Sequence, residues 1–243
     1  VIGTQKGGTT TLHHLLSRHP GIFLPEVKEV HYFSQHFHQS RQWYADHYQL
    51  AKPGQVRGDI TPFYMFHKAV PERIRSVLPN VRLVALLRDP VERALSQYFH
   101  ARRHGYEQLD LIPALEAEEQ RLSGADAVVS SADGFHYSYQ KHSYVSRSRY
   151  ELQLQRFREW FPKRQLLVLR SEDLFAHTDA CWDGLLRFIS VAPMPLPASL
   201  PHSNSGKGEA ASVPLSLRRD LRQQLAMTYR WVDREYGITW PEP

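Results

Sequence analysis

Residues 81–87, Val-Arg-Leu-Val-Ala-Leu-Leu, are the clearest strand in the chain. Their near-continuous apolar character suits a parallel strand covered on both faces. The run ends at Arg88-Asp89-Pro90, and residues 91–103 follow as a helix with Pro90 near its start and Gly105 just past its end, the punctuation expected of helix termini. Residues 11–19 read as a first helix stopped by Pro20-Gly21, a breaker pair. Residues 22–24 suit a short strand or an extended connector. Residues 28–33 alternate polar with apolar, as on a strand or extended edge. A helix over 40–48, a short strand over 56–61 and a helix over 69–78 come next. The stretch 106–140 is the least regular; a helix candidate spans 112–122, and the Ser/Ala/Gly/Asp segment 123–134 reads as a mobile insertion or lid. A long helix over 143–160, a strand over 165–169, a helix over 179–189, a proline-rich connector over 191–200, a polar loop over 202–208 and a final helix over 215–236 complete the pattern. Strands alternating with helices predict a single α/β domain over 1–243, a three-layer P-loop-like fold whose central parallel sheet is flanked by helices. Ligands of such sheets sit beyond the carboxyl ends of the strands.

Composition narrows the possibilities. The 243 residues carry a net charge of +5, with an isoelectric point near 9.3. That suits an anionic ligand without implying nucleic acid. The single cysteine, Cys181, allows no intrachain disulfide and fits a reducing, cytoplasmic setting. No apolar run approaches the length of a membrane span, and no signal peptide is visible. The chain begins without methionine, almost inside its first strand, so residues are expected to be missing from its start. Fourteen histidines are scattered through it. Only His100 and His104 share i,i+4 spacing, without the glutamate of H-E-x-x-H or a third ligand, so a solvated helix face is the better reading and no metal is expected.

The candidate chemistry begins in the first ten residues, which read as the end of a strand, a glycine-bearing loop and the start of a helix. Gly7 and Gly8 allow successive N–H groups to converge on an anion at the positive end of that helix. Lys6 adds a mobile charge, and Thr9 and Thr10 add hydroxyls. A Walker A loop places its lysine after the glycines, beside a hydroxyl that holds Mg²⁺. Here the lysine comes first, which suggests phosphate binding without the NTPase arrangement. The plain alternative is a strand-to-helix turn with a solvated lysine. Arg88 and Ser96 follow the 81–87 strand, so they lie at the same sheet edge, where Arg88 offers a planar fork for a second phosphate. Two anion-binding loops in one crevice suit a nucleotide phosphorylated at both ends.

At this point the chain resembles a family. Thr4-Gln-Lys-Gly-Gly-Thr-Thr10 resembles the 5′-phosphosulfate loop of sulfotransferases that use 3′-phosphoadenosine 5′-phosphosulfate (PAPS), and Arg88-Asp-Pro-Val-Glu-Arg-Ala-Leu-Ser-Gln-Tyr98 resembles their 3′-phosphate segment. Glu29-Val-His-Tyr-Phe33 is similar to the Glu-x-His-Phe-Phe stretch of heparan-sulfate-type members, in which the glutamate is the proposed base. Ser148-Arg-Tyr150 followed by Trp160-Phe-Pro162, and Asn204-Ser-Gly-Lys-Gly208, resemble two further segments, and all occur in family order. The resemblance implies in-line sulfuryl transfer from PAPS to an acceptor hydroxyl, with no metal. Glu29 would be the base, with His31 orienting it, contacting the acceptor or itself taking the proton. Lys6 would assist the leaving phosphate. Gln5, Lys6, Gly7, Gly8, Thr9 and Thr10 would hold the 5′-phosphate, Arg88 and Ser96 the 3′-phosphate, and Tyr150, Lys207 and Gly208 the rest of the donor.

The chain departs from the heparan-sulfate type where Asp59-Ile-Thr-Pro62 stands in place of Glu-Lys-Thr-Pro, so an acceptor-side lysine is replaced by Ile60. It also lacks the cysteine pair of many Golgi members, which points to a bacterial, cytosolic setting. Sulfotransferase domains of modular polyketide synthases resemble the pattern too, so the acceptor is a saccharide, a lipid or a carrier-bound acyl chain. The residues Tyr32, Phe33, Tyr44, Phe63, Tyr64, Phe66 and Tyr98 serve either an acceptor pocket or the core. The rival readings are a Mg-ATP-dependent P-loop kinase and a non-catalytic nucleotide or polyanion-binding module.

Overall fold

The computed structural model describes residues 1–176, 179–196 and 208–243. Its strands are β1 (Ile22–Phe23), β2 (Val56–Arg57), β3 (Leu83–Leu87) and β4 (Leu166–Arg170). Its helices are α1 (Thr9–Ser17), α2 (Arg41–Asp46), α3 (Val70–Val77), α4 (Pro90–Arg103), α5 (Leu111–Glu116), α6 (Glu118–Leu122), α7 (Ala125–Ser130), α8 (Tyr137–Lys141), α9 (Tyr150–Trp160), α10 (Ser171–Phe175), α11 (Asp179–Ile189), α12 (Leu215–Gln224) and α13 (Ala226–Tyr236). No helix of the described residues is long and apolar enough to cross a membrane.

The fold is α/β, as the alternation of elements predicts. β3 pairs with β4 in parallel, from Leu83 opposite Leu166 to Leu87 opposite Arg170. On the other side of β3 run residues 1–4. The N–H groups of Ile2 and Thr4 donate to the carbonyls of Val84 and Leu86, both at 2.9 Å, and Leu86 N–H donates back to Gly3 at 2.7 Å. Thr61 N–H reaches the Val1 carbonyl at 3.1 Å, which joins the chain beyond β2 to the same sheet, and β1 pairs with β2 in parallel. Two parallel pairs, β1–β2 and β3–β4, are thus bridged by residues 1–4, which bond to β3 on one side and to Asp59 and Thr61 on the other.

Every residue of β3 is buried, because helices cover both faces. Leu83, Ala85 and Leu87 face a cluster with Tyr150, Leu154, Phe157 and Val232 of α9 and α13. Val84 and Leu86 face Leu12, Leu16, Trp182 and Leu185 of α1 and α11. Side chains of one strand alternate between the two, which is why an unbroken apolar run was needed. With the strands parallel, the loops after residue 3, after β1 and after β3 all emerge at one edge.

Four segments differ from the sequence expectation. Residues 28–33 are not a strand, since Glu29 (φ 63°) and His31 (φ 56°) both take left-handed backbone. The expected helix over 143–160 begins only at Tyr150; Ser146–Ser148 is a short 3₁₀ turn and Arg149 (φ −80°, ψ 70°) separates the two. The final helix is two, broken at the buried Leu225. Within 123–134 lies α7, whose Ala125 and Val129 are buried against Phe63, Phe66 and Tyr139.

Leu86→Ala, which empties a fully buried site in the central strand, is expected to cost about 2–5 kcal/mol of unfolding free energy. A urea titration measures it, and an unchanged midpoint would contradict this placement of the core.

Candidate active site

The first loop takes the form of a cradle. Gly7 N–H turns back onto the Thr4 carbonyl at 3.0 Å, Lys6 (φ 68°) and Gly8 (φ 88°) are left-handed, and α1 starts at Thr9. The first turn of a helix has no intrahelical acceptors for its N–H groups, so those of α1 are presented at the sheet edge together with the positive end of its dipole. A Cβ on Gly7 would meet the Leu86 carbonyl at 2.6 Å, and one on Gly8 would meet the Phe175 ring at 2.1 Å. The loop thus lies directly on β3 and on the end of α10.

The second loop meets the first. Arg88 Nη1 donates to the Lys6 carbonyl at 3.4 Å. Asp89 caps α4 by accepting from Glu92 N–H at 2.9 Å. Tyr150, fully buried, donates its hydroxyl to the Arg88 carbonyl at 2.9 Å; it stands behind Arg88 and holds its backbone. Ser96 lies two turns into α4 on the buried side. Gly208 begins the short turn Glu209–Ser212, and Glu209 pairs with Arg103 at the end of α4. Lys207 lies outside the described residues, as does the rest of the polar loop from residue 202.

The third loop carries Glu29 and His31. They share one spot as expected, but through two left-handed residues rather than an extended chain. His31 Nε2 stands 3.6 Å from Glu29 Oε2. Ser34 Oγ donates to the His31 carbonyl at 3.2 Å and lies 3.1 Å from His31 Nδ1, which orients the ring. The N–H groups of Ser34, Gln35 and His36 all converge on the His31 carbonyl, at 3.1, 2.9 and 3.2 Å. Lys28 joins this loop to the cradle: its Nζ is 2.9 Å from Thr10 Oγ1 and 3.1 Å from Glu29 Oε1.

The electrostatics are those of a site built for anions. Burial, followed by the charges of Arg103, Arg88, Arg93 and Lys28, brings Lys6 down to about 8. Neither Lys6 nor Arg88 has a carboxylate partner among the described residues. Burial also pushes the Glu29 carboxyl up, but His31 and Lys28 beside it outweigh that, and the net shift is downward. His100, one turn beyond Ser96, falls to about 4 through burial and then through Lys6, His104, Arg103 and Lys141. The α4 face that bears Ser96 and His100 therefore shares the field of Lys6.

Several contributors escaped sequence reasoning. Lys28 is not among the residues that the sequence singles out. Arg147, fully buried, donates to the Gln5 side chain and lies 4.9 Å over each of the Phe63 and Phe66 rings. Nothing in its local sequence marked it, because a charged residue reads as solvated by default. The seven aromatic candidates are all buried, and Ile60 is buried among Leu12, Leu15 and Ile22, away from the crevice. A cavity of about 460 Å³ between α12 and α13, lined by Arg219, Arg222, Tyr229 and Arg230, includes none of Lys6, Arg88 or Glu29. Among the described residues no three His, Cys, Asp or Glu side chains gather as a metal site.

Comparison with known proteins bears on the family and the fold. Residues 1–196 match the family described as sulfotransferase domain. The membrane-associated sulfotransferase kil1 of Dictyostelium discoideum is 43% identical over 101 residues, 40% of this chain and 21% of that protein. The human bifunctional heparan sulfate N-deacetylase/N-sulfotransferase 2 is 27% identical over 203 residues, 79% of this chain and 22% of that protein. The mouse heparan sulfate glucosamine 3-O-sulfotransferase 3B1 is 35% identical over 98 residues, 40% of this chain and 25% of that protein. The chain thus spans between 21% and 25% of the length of these curated relatives. The crystal structure of a sulfotransferase from Alicyclobacillus acidocaldarius has the same fold, with a TM-score of 0.79 over 99% of this chain and 95% of that one at 21% identity.

Gly8→Ala would force a side chain onto Phe175 and into a left-handed conformation. It is expected to lose about 1–3 kcal/mol of stability, read from thermal or urea unfolding; wild-type stability would show that the loop is not pressed on α10.

Proposed function

The chain belongs to the sulfotransferase domain family, and on that premise we propose that it moves a sulfuryl group from PAPS to a hydroxyl of a saccharide, with Glu29 as base and Lys6 assisting the leaving phosphate. One observation carries the reading: a single ammonium, Lys28, touches both Thr10 of the phosphate cradle and Glu29 of the base loop. The base is thereby held beside the place where the cradle would present the end of the donor.

The residues fit such a donor. The Gly7 and Gly8 positions have no room for a Cβ, the first-turn amides of α1 offer hydrogen bonds, and burial together with the neighbouring cations lowers the pKa of Lys6, which a bound anion would offset. Gln5, Lys6, Gly7, Gly8, Thr9 and Thr10 would hold the 5′-phosphate, and Arg88 and Ser96 the 3′-phosphate. Tyr150 would act through the Arg88 backbone, and Lys207 and Gly208 would complete the donor side. When bound, the donor supplies an activated sulfuryl group and a phosphate leaving group. Glu29 takes the proton of the acceptor hydroxyl as the new S–O bond forms. Lys6 neutralises the electron pair that leaves with the phosphate oxygen as the old S–O bond breaks, in the manner of cationic clamps in phosphoryl transfer. No metal is called for. The heparan sulfate enzymes among the relatives favour a saccharide acceptor; a lipid-like or carrier-bound hydroxyl is the other outcome of the test. The single free cysteine suits a reducing, cytoplasmic setting.

The test is incubation with radiolabelled PAPS against N-deacetylated heparosan, a long-chain alkanol and a hydroxyacyl carrier protein, with mass spectrometry assigning any sulfate on the saccharide to oxygen, as expected, or to its free amines, which would overturn the hydroxyl assignment. Glu29→Gln should keep the rise in melting temperature given by adenosine 3′,5′-bisphosphate without Mg²⁺ while losing about 10²–10⁴-fold in turnover. Unchanged turnover removes Glu29 as base, and stabilisation by Mg-ATP alone would favour a kinase.

Lys6 must be protonated to serve the leaving group, and with its pKa lowered to about 8 that form is lost as pH rises. The value of kcat/KM for PAPS is therefore expected to fall above about pH 8, whereas the alkaline limb of kcat lies higher because a bound anion raises the lysine. Lys6→Arg should remove that limb; a limb that persists in the variant belongs to another group.

A further inference from the structure

We propose that Arg73 is a positioning residue for the base loop, and that through it the 106–140 segment forms part of the acceptor side; this rests on Glu29 being the base. Arg73 lies on α3 and is 6% exposed. Among the described residues it has no carboxylate within ion-pair reach, and its guanidinium is satisfied by four backbone carbonyls. Nη1 donates to Phe33 and Ser34 at 3.1 and 3.0 Å, on the base loop. Nη2 donates to Ser130 and Ser131 at 3.0 and 2.8 Å, at the end of α7. The group also lies 4.9 Å over the Phe37 ring.

A cation buried without a counterion is a poor way to fill space, since an apolar side chain would serve packing alone without the desolvation cost. A rigid fork bonded to four carbonyls does something else: it fixes the spacing of two separate segments. The base loop needs such support, because Glu29 and His31 hold conformations that L residues keep only where their surroundings over-determine them. The far end of the segment is fastened as well. Arg147 donates to the Tyr139 and Gln140 carbonyls at 2.8 and 2.9 Å and also to Gln5 of the phosphate cradle. Between the two arginines, Ala125, Val129 and Tyr139 cover Phe63, whose ring packs 5.9 Å from that of His31. One segment is thus tied to the base loop through Arg73 and to the donor loop through Arg147.

Hydrogen exchange, bisphosphate binding and kinetics test this together on Arg73→Ala and Arg73→Lys. In Arg73→Ala, amide exchange should quicken in residues 29–36 and 125–131 together while residues 1–10 and 83–103 keep wild-type protection. Affinity for adenosine 3′,5′-bisphosphate should stay within about threefold, KM for PAPS should hold, and kcat toward N-deacetylated heparosan should fall about 100-fold, with partial recovery in Arg73→Lys. Unchanged exchange at 29–36, or bisphosphate affinity that falls in step with kcat, overturns the proposal. If neither variant folds, native-state exchange of the unmodified protein in low urea decides it: the two segments should open as one unit, and separate opening refutes the link. If the wild-type protein transfers no sulfuryl group to this saccharide, the saccharide assignment is what fails, and exchange and bisphosphate binding still judge Arg73.

Discussion

Positive charge buried without carboxylate partners among the described residues is the constraint around which this molecule is arranged. Arg73, Arg93 and Arg147 all lie inside, and each is held by carbonyls, hydroxyls or an amide. Arg93 donates to Ser148 Oγ and Gln97 Oε1, both at 2.6 Å, and to the Tyr144 carbonyl. Burial lowers Arg147 to about 9 and Arg93 to about 10, yet both remain protonated near neutrality. Dipoles that solvate a cation do not cancel its field as a carboxylate would. The uncancelled field falls on the end of the sheet, where Lys6 feels Arg93 and Arg88 directly. Of the charges that act on Lys6, Arg103 and Arg88 come first and the interior Arg93 adds to them.

Against that background the Glu29 carboxylate needs fixing in place, and much of the neighbouring core does so. Asp59 accepts from Thr61 Oγ1 at 2.7 Å and from the hydroxyls of Tyr64 and Tyr44 at 2.9 and 3.2 Å. Tyr64 oxygen in turn accepts from Phe33 N–H at 3.4 Å, and the Tyr44 ring stacks on Tyr32 with centroids 4.5 Å apart. The aromatic residues near the site are thus structural, and their work is to anchor the loop that bears Glu29 and His31. A buried network of this kind is stable only when all its members are satisfied.

How much of this could be read from the chain depends on whether a local pattern had a tertiary competitor. Residues 83–87 could be read because burial on both faces leaves its mark in five successive apolar residues. The cradle could be read because glycines at 7 and 8 answer to backbone sterics that act locally. Residues 28–33 misled because alternation is only a statement about side chains; the backbone there is bent by amides that gather on the His31 carbonyl and by Arg73 from α3. The helix at 150 started later than its periodicity suggested, since at 146–149 the chain turns Arg147 and Ser148 inward before α9 begins. The interior arginines could not be read at all, because nothing in a single sequence separates a guanidinium wrapped in carbonyls from one in water.

The floor beneath Gly8 has a consequence for protein engineering. Phe175, at the end of the helix that follows β4, determines how tightly the turn before α1 can close. The glycine-bearing loop is therefore no portable module: grafted onto another scaffold with its own helix but without that distant aromatic ring, it would lose the surface that shapes it. Transplanting this loop would require carrying over the far edge of the sheet along with the ten residues that look sufficient.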